Sequence, residues 1–268
     1  PMGVHLIVDY YEDSRPERRE ELLLCLRRNL AHPAIEAVHN LGRLEAAPPE
    51  DIRLHPRYHA HPVGRRLTFQ DALAFAAQEL DGKFVGICNL DIYLDDRESN
   101  WAAAEPLVRN DGLVLCQSRF ELGADGRLFR DPTYAESCFA NTQDAWFFVA
   151  PLELPDAEFP VGLLGSDNAI AERIQRSGRI PVNLASRFRV IHVDRCRNKH
   201  GGNAVAVHTS EATAAGTAPG ERPQGAWLLP DFDLPLSLDA LVDRFNLSPT
   251  AKYRLICETL SRMLVVKN

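Results

Sequence analysis

The 268-residue chain is 45% hydrophobic and 25% charged, which is typical of a globular protein with a sizeable core and unlike a disordered chain. Its formal net charge of -7 argues against a protein that mainly binds nucleic acid, although a local basic pocket for a diphosphate is compatible with that charge. We expect no membrane segment and no leader, and therefore a cytoplasmic location, because no apolar run approaches the roughly 20 residues that span a bilayer.

The first hundred residues alternate between strand and helix patterns. We predict strands over Val4–Val8, 35–41 and Phe84–Cys88, and helices over Pro16–Ala31 and 67–80. A helical crossover of this length is typical of parallel strands, so this region predicts half of a Rossmann-like sheet.

The pattern becomes mixed after residue 100. A helix is predicted over 101–108, a hairpin turn over 121–127 and a helix over 166–177 that ends at Gly178. Further strands are predicted over Leu113–Gln117, Ala145–Val149 and 190–193. The chain then divides into a main domain (1–208), a flexible linker rich in Ala, Gly, Thr and Pro (209–224) and a C-terminal helical extension (225–268) with a helix over about 236–266.

Neither the cysteines nor the histidines show a standard metal-binding spacing. No C-x-x-C pair is present, and four of the six cysteines lie in apolar patterns: Cys25, Cys88, Cys116 and Cys257. This predicts free buried thiols and agrees with a reducing compartment. Three histidines lie near two prolines without helical spacing: His55, His59 and His61. We interpret them as part of a surface loop rather than a metal site.

Two oxygen-bearing side chains directly follow the apolar strand Phe84–Cys88. Asn89 and Asp91 are two residues apart, so in an extended segment they point to the same face and are able to share one hard cation. Mg²⁺ or Mn²⁺ with few protein ligands is the usual partner of a diphosphate. The alternative is a turn that ends the strand with solvated polar side chains.

Other polar residues stand near predicted strand ends or helix starts: Arg66, Asp144, Asp167 and His192. Together with Asn89-Leu90-Asp91, this order resembles the GT-A fold of nucleotide-sugar glycosyltransferases, including their family-2-like members. The resemblance implies an α/β fold with a Rossmann-like mixed sheet flanked by helices, followed here by the helical extension. It also implies a D-x-D-type motif that holds a divalent cation on the donor diphosphate.

The chain more narrowly resembles a bacterial group of glycosyltransferase-like proteins with motifs such as N-S-D-I-Y and Q-D-S-W. Five segments over roughly residues 4–195 carry this resemblance: Arg18-Arg-Glu-Glu21, Arg66-Leu-Thr-Phe69, Asn89-Leu-Asp-Ile-Tyr-Leu-Asp95, Gln143-Asp-Ala-Trp146 and Gly165-Ser-Asp-Asn-Ala-Ile-Ala171. Two positions depart from it. Leu90 replaces Ser, and the His-Leu-His-like ending becomes Ile191-His-Val-Asp194, which leaves the second histidine's role unfilled or taken by Asp194.

The resemblance assigns roles to four residues. Asp91 and His192 would hold Mg²⁺ or Mn²⁺, and Arg66 would add a fixed positive charge beside the leaving diphosphate. Asp167 would be the base that takes the acceptor hydroxyl's proton in an inverting reaction. We also expect Asp91 to face solvent without its cation, so that its loss would cost little stability.

Each assignment has a structural alternative. Asp167 or Ser166 fits a helix cap, and His192 fits a buried core histidine. Asp144 is expected either to contact sugar or acceptor or to begin a strand as a turn residue.

Two further assignments concern Trp146 and the pair Asp9 and Tyr10. Trp146 fits a sugar contact or the core. Asp9 and Tyr10 fit either contacts to the nucleotide or an ordinary turn after the first strand.

These patterns predict a metal-dependent glycosyltransferase that moves a sugar from a nucleoside-diphosphate sugar to an unknown small-molecule, glycan or natural-product acceptor. An inactive nucleotide-sugar-binding domain is an alternative, because Asn89 replaces the first acid of the motif. A sugar nucleotidyltransferase is a weaker alternative, because the segment after the first strand is acidic and lacks the glycine-rich basic loop that those enzymes use.

Overall fold

The computed structural model describes residues 3–130, 139–140, 142–195 and 229–230. The strands in these ranges are β1 (Val4–Val8), β2 (Ile35–Asn40), β3 (Tyr58–Ala60), β4 (Phe84–Cys88), β5 (Ile92–Leu94), β6 (Leu113–Gln117), β7 (Arg119–Leu122), β8 (Leu128–Phe129), β9 (Phe139–Ala140), β10 (Ala145–Val149), β11 (Ile180–Val182), β12 (Val190–His192) and β13 (Leu229–Pro230). The α-helices are α1 (Pro16–Ala31), α2 (Glu50–Arg53), α3 (Phe69–Glu79), α4 (Ala104–Asp111) and α5 (Ser166–Arg176), with a 3₁₀ turn at Trp101–Ala103 before α4.

A seven-stranded mixed sheet forms the centre of the fold, in the order β11-β6-β10-β4-β1-β2-β3. Strands β4, β1, β2 and β3 run parallel to one another, as the alternation of strands and helices predicts. Strand β10 is antiparallel to both β4 and β6. Its first residue therefore lies at the edge of the sheet where β4 and β6 end.

Side chains alternate between the two faces of this sheet. Leu6 and Val8 pack on one face with α1 and α4, whereas Ile7 packs on the other face with α3 and α5. The helices therefore cover both faces, which explains why the central strands β1 and β4 are buried along their whole length.

Local signals set the helix starts. Pro16 lies in the first turn of α1, and Thr68 caps α3 in a capping box with Asp71. Helix α5 begins after Gly165, whose φ of 80° lies in the left-handed region that favours glycine.

A smaller four-stranded sheet, in the order β5-β12-β7-β8, lies beside the main sheet. Strand β12 pairs with β5 so that His192 lies opposite Ile92, and with β7 so that His192 lies opposite Glu121. The sequence did not predict β5. This pairing places His192 directly beside the loop that carries Asp91.

The predicted mixed α/β fold is confirmed, whereas the division of the chain into domains stays a prediction. The prediction of a loop around His55, His59 and His61 is wrong at His59, which lies in the edge strand β3 and pairs with His39 of β2. The linker over 209–224 and the helix over 236–266 fall outside the described residues. Within 225–268 the structure describes Leu229–Pro230, which pair with Phe139–Ala140.

Cys25, Cys88 and Cys116 are free and buried, as expected for the described cysteines. Over the described ranges, no helix is long and apolar enough to cross a bilayer. A cytoplasmic location stays a prediction.

Candidate functional site

A cavity of about 550 Å³ opens at one edge of the main sheet. Strand β1 ends there at Val8 and is followed by Asp9, and β4 ends at Cys88 and is followed by Asn89. Because β10 is antiparallel, the residue before it, Asp144, reaches the same edge. The carboxyl ends of parallel strands and the amino end of an antiparallel strand thus meet at one site.

Eight of the nine residues proposed from the sequence line this cavity: Asp9, Arg66, Asn89, Asp91, Asp144, Trp146, Asp167 and His192. The ninth, Tyr10, does not line it. Tyr10 lies two residues after Val8, so in the extended chain both side chains point to the same face of the sheet. The Tyr10 side chain therefore lies in the core and is only 1% exposed. The neighbouring Tyr11 lines the cavity instead.

Asp91 is bonded within the protein. Its Oδ2 accepts hydrogen bonds from the Arg18 guanidinium and, at 3.2 Å, from His192 Nε2. Arg18 is 1% exposed and also donates to Glu21 Oε2 at 3.0 Å and to the Val193 carbonyl at 2.7 Å. Asp91 itself is only 8% exposed. The expectation of a solvent-facing carboxylate is therefore wrong, because a buried arginine from α1 pairs with it.

A network of charged side chains continues from Asp91 and His192 to Glu121, Arg119 and Asp144. His192 Nδ1 lies 2.7 Å from Glu121 Oε2, and Arg119 Nε donates to Glu121 Oε1 at 2.6 Å. Arg119 Nη1 then donates to both oxygens of Asp144 at 3.0 Å, and Asn89 Nδ2 donates to Asp144 Oδ1 at 3.0 Å. Acidic and basic groups alternate along this network.

The network holds His192 and Glu121 in their charged forms at neutral pH. Burial lowers the pKa of His192, but Asp91 and Glu121 outweigh burial and raise that pKa to about 9. Burial also raises the pKa of Glu121, yet His192 and Arg119 outweigh it and lower that pKa to about 2. The charge of Asp144 raises the pKa of Arg119 further above its usual range.

Asp167 lies in the first turn of α5 and accepts hydrogen bonds from two backbone N–H groups. The donors are Gln143 N to Oδ2 at 3.2 Å and Asn168 N to Oδ1 at 2.9 Å. Burial, with a smaller contribution from Asp144, raises the pKa of Asp167 to about 7. The residue at the helix cap is Gly165, so neither Ser166 nor Asp167 is the N-cap.

Two half-buried arginines complete the rim, Arg43 and Arg66. Arg66 Nη2 donates to the carbonyls of Val161 at 3.1 Å and Gly162 at 3.2 Å, which holds the guanidinium at the cavity. Asp9 Oδ2 accepts from the backbone N–H of the next residue, Leu67, at 3.2 Å, and burial raises the pKa of Asp9.

Several buried polar atoms of the cavity residues have no hydrogen-bond partner within the described residues: Asp9 Oδ1, Asn89 Oδ1, Gln143 Oε1 and Nε2, and Trp146 Nε1. Buried polar groups in proteins are almost always bonded, so a cluster of unbonded ones marks a place where a polar ligand or water binds. Trp146 also packs edge-on against Phe69, with ring centroids 4.9 Å apart, so it belongs to both the core and the cavity wall.

The residues around Asp91 do not fit a bound divalent cation in this arrangement. Both ring nitrogens of His192 are bonded to carboxylates, and Asp91 Oδ2 is bonded to Arg18. Among the described residues, no group of three His, Cys, Asp or Glu side chains is placed to hold a metal ion. A cation at Asp91 would first have to separate buried, charged pairs.

Sequence reasoning assigned no role to Arg18, Arg119, Glu121 and Gln143. Arg18 opens the first motif of the resemblance, but its partner Asp91 lies 73 residues away. Arg119 follows the end of β6 by two residues, so the strand-end criterion that selected Asn89 would also have selected it. Gln143 likewise opens the fourth motif of the resemblance, whereas Glu121 carried no comparable signal.

Comparisons with known proteins report similarity in fold. No family model matches the chain, and no curated protein matches it in sequence. A solved structure of GalNAc-T7 with UDP, GalNAc and Mn²⁺ superposes at a TM-score of 0.50 and 12% identity, covering 78% of this chain and 46% of that one. The chain therefore spans less than half the length of that protein.

A second solved structure, of 4-diphosphocytidyl-2C-methyl-D-erythritol synthase, gives a TM-score of 0.38 at 14% identity, over 75% of this chain and 95% of that one. A TM-score this low carries no argument about either fold or function. The seven-stranded mixed sheet with helices on both faces and the likeness to the first structure show that this chain has a GT-A-like fold.

Proposed function

We propose that the protein is a glycosyltransferase that binds a nucleoside-diphosphate sugar in this cavity and transfers the sugar to an acceptor hydroxyl. The observation that carries the proposal is the meeting of arginines, unbonded polar atoms and Asp167 in one cavity at the strand ends of a GT-A-like fold. In open α/β sheets this edge is where ligands bind.

The diphosphate of the donor would contact the basic part of the cavity, which is formed by Arg43, Arg66 and Arg119. Guanidinium groups donate to phosphate oxygens in a fixed planar geometry, which suits a group that gains negative charge as it leaves. Asp9, with one unbonded carboxylate oxygen, would contact the nucleoside.

Asp167 would take the proton from the acceptor hydroxyl. As that oxygen forms its bond to the anomeric carbon, the bond from this carbon to the diphosphate breaks and the diphosphate carries away the electron pair. A carboxylate with a pKa of about 7 suits a general base near neutral pH. Attack from the face opposite the leaving group would invert the anomeric carbon.

The use of Mg²⁺ or Mn²⁺ stays a prediction from the sequence resemblance. The GalNAc-T7 structure was solved with Mn²⁺ and UDP bound to that protein. A divalent cation would supply positive charge to the leaving diphosphate.

Calorimetric titration with UDP-, GDP-, CMP- and dTDP-sugars, followed by assays for slow donor hydrolysis, tests the proposal. We expect one donor to bind and to be hydrolysed slowly. Arg66→Ala should weaken binding of the nucleoside diphosphate more than binding of the nucleoside. Its exposed neighbour Arg65, which pairs with Asp71 and Glu158 at the surface, provides the matched control Arg65→Ala. Absence of binding by every donor would refute the proposal.

A nucleotide-sugar-binding domain without activity is the second candidate, favoured by Asn89 in place of an acid in the D-x-D-type motif. Binding of a donor without hydrolysis and without transfer to any of a panel of sugar and alcohol acceptors would support that candidate. Release of the nucleotide that depends on Asp167 would exclude it.

A further inference from the structure

We propose that the diphosphate of the donor is neutralised by arginines of the chain itself, so that donor binding is independent of a divalent cation. This inference rests on the proposed function and concerns the same cavity. It replaces the predicted metal site at Asp91 and His192 with a network of protein charges.

The first support is the pairing of Asp91. Two side chains, Arg18 and His192, already bond its Oδ2, and both are at most 2% exposed. Arg18 is fixed further by Glu21 and by the Val193 carbonyl. A metal ion that took this carboxylate would leave a buried guanidinium without its main counter-charge, which is costly in a poorly solvated site.

The second support is the pairing of Asp144, the other acid beside Asn89. Both of its oxygens accept from Arg119, and one also accepts from Asn89. Neither Asp91 nor Asp144 is therefore a vacant ligand. Asn89 is neutral where the D-x-D-type motif has an acid, which removes one negative charge that would attract a cation.

The third support is the position of the basic groups. Arg119 belongs to the network and also lines the cavity, where it is joined by Arg43 and Arg66. Arg43 and Arg66 provide permanent positive charge from the two loops that follow β2 and β3, and Arg119 of β7 adds a guanidinium whose charge Glu121 and Asp144 partly balance. The positive charge that a divalent cation would bring to a diphosphate is thus already built into the cavity wall.

Titration calorimetry of the full chain with UDP, GDP, CDP and dTDP, in excess EDTA and then in excess MnCl₂ or MgCl₂, tests the inference. We expect one nucleoside diphosphate to bind in EDTA with an affinity that either metal changes by less than about threefold, a difference below about 1 kcal/mol. Binding that requires a metal, or that a metal strengthens tenfold or more, would overturn the inference while leaving the proposed function intact. Absence of binding under all conditions would overturn both.

Electron paramagnetic resonance of Mn²⁺ gives a measurement that needs no variant. With the binding nucleotide present, the signal of free Mn²⁺ should match that of a solution holding the nucleotide without protein; retention of one equivalent by the protein contradicts the inference.

Arg119→Gln should weaken nucleoside-diphosphate binding by about tenfold or more, and added Mn²⁺ should not restore it. The matched control is Arg109→Gln, which removes a surface arginine paired with Glu105. Circular dichroism establishes that both variants fold. Equal affinities of the Arg119 variant and the control would remove Arg119 from the inference, and the wild-type titrations decide the metal question on their own.

Discussion

The sharpest prediction concerns the pH dependence of transfer, because the pKa of Asp167 is raised to about 7. A base with this pKa is about one-tenth ionised at pH 6 and about nine-tenths ionised at pH 8. If Asp167 takes the acceptor proton, kcat/KM should rise about tenfold between these two pH values and then level off. An unperturbed aspartate, ionised well below pH 6, would give a flat profile over this range.

The variant Asp167→Asn removes the base but keeps the size of the side chain and one of its two acceptor oxygens. Transfer should fall by roughly 10²-fold or more, and the rise with pH near 7 should disappear. Folding favours the protonated form of Asp167, so this residue makes the protein less stable as pH rises from about 4 to 7. The asparagine variant should therefore melt no lower than the wild type at pH 8.

Initial rates of sugar transfer over pH 5.5 to 9 and melting temperatures of both proteins provide the measurement. Asp156 serves as the matched control, because it lies in the exposed loop before α5 and its ion pair with Arg176 is long, at 3.8 Å. Asp156→Asn should leave the rate profile unchanged. Near-normal transfer by Asp167→Asn, or a wild-type profile that is flat through pH 7, would refute the role of base.

Three further predictions concern stability. Asp91→Ala should lower the free energy of unfolding by about 3–5 kcal/mol, because it removes the carboxylate that the buried Arg18 and His192 share and leaves Glu21 as a smaller counter-charge; urea denaturation giving a loss below about 1 kcal/mol would contradict this. Burial lowers the pKa of His39 to about 3, so the free energy of unfolding should fall as pH falls from 6.5 towards 3. His39→Asn should weaken this pH dependence in urea titrations, and an unchanged dependence would exclude His39 as its source. Gly86→Ala should cost about 1–3 kcal/mol, because the added Cβ would lie 2.5 Å from the Phe147 ring, and an unchanged melting temperature would contradict that clash.

The correction at Asp91 changes how its variant is interpreted. The sequence predicts that loss of Asp91 leaves the fold intact, so that an effect on donor binding would identify a metal ligand. The pairing with Arg18 and His192 means that the same variant also perturbs the packing of α1 and β12. Donor binding by this variant is therefore informative only together with its measured stability.

The sequence alone determined the order of most of the longer helices and strands and the location of most of the candidate site, but it missed short strands such as β3 and β5. A short apolar run such as Phe84–Cys88, bounded by polar residues, predicts a buried strand. The polar residues that follow it then lie at an edge of the sheet, whichever strands pair with it. This local reasoning placed Asp9, Asn89 and Asp91 at the cavity. The same reasoning was wrong for Tyr10. Successive side chains along the extended chain point to opposite faces, so the Tyr10 ring lies in the core and Tyr11 lines the cavity instead.

Tertiary structure alone decided which charges meet. Arg18 comes from α1, Asp91 from the loop after β4 and His192 from β12, and no local pattern encodes the 3.2 Å contact or the buried ion pair among them. The same holds for Arg119 and Asp144, which meet because β10 runs antiparallel between β4 and β6. Residue type and spacing fix where a side chain can point, whereas its charged state and its partner depend on desolvation and on neighbours from distant parts of the chain.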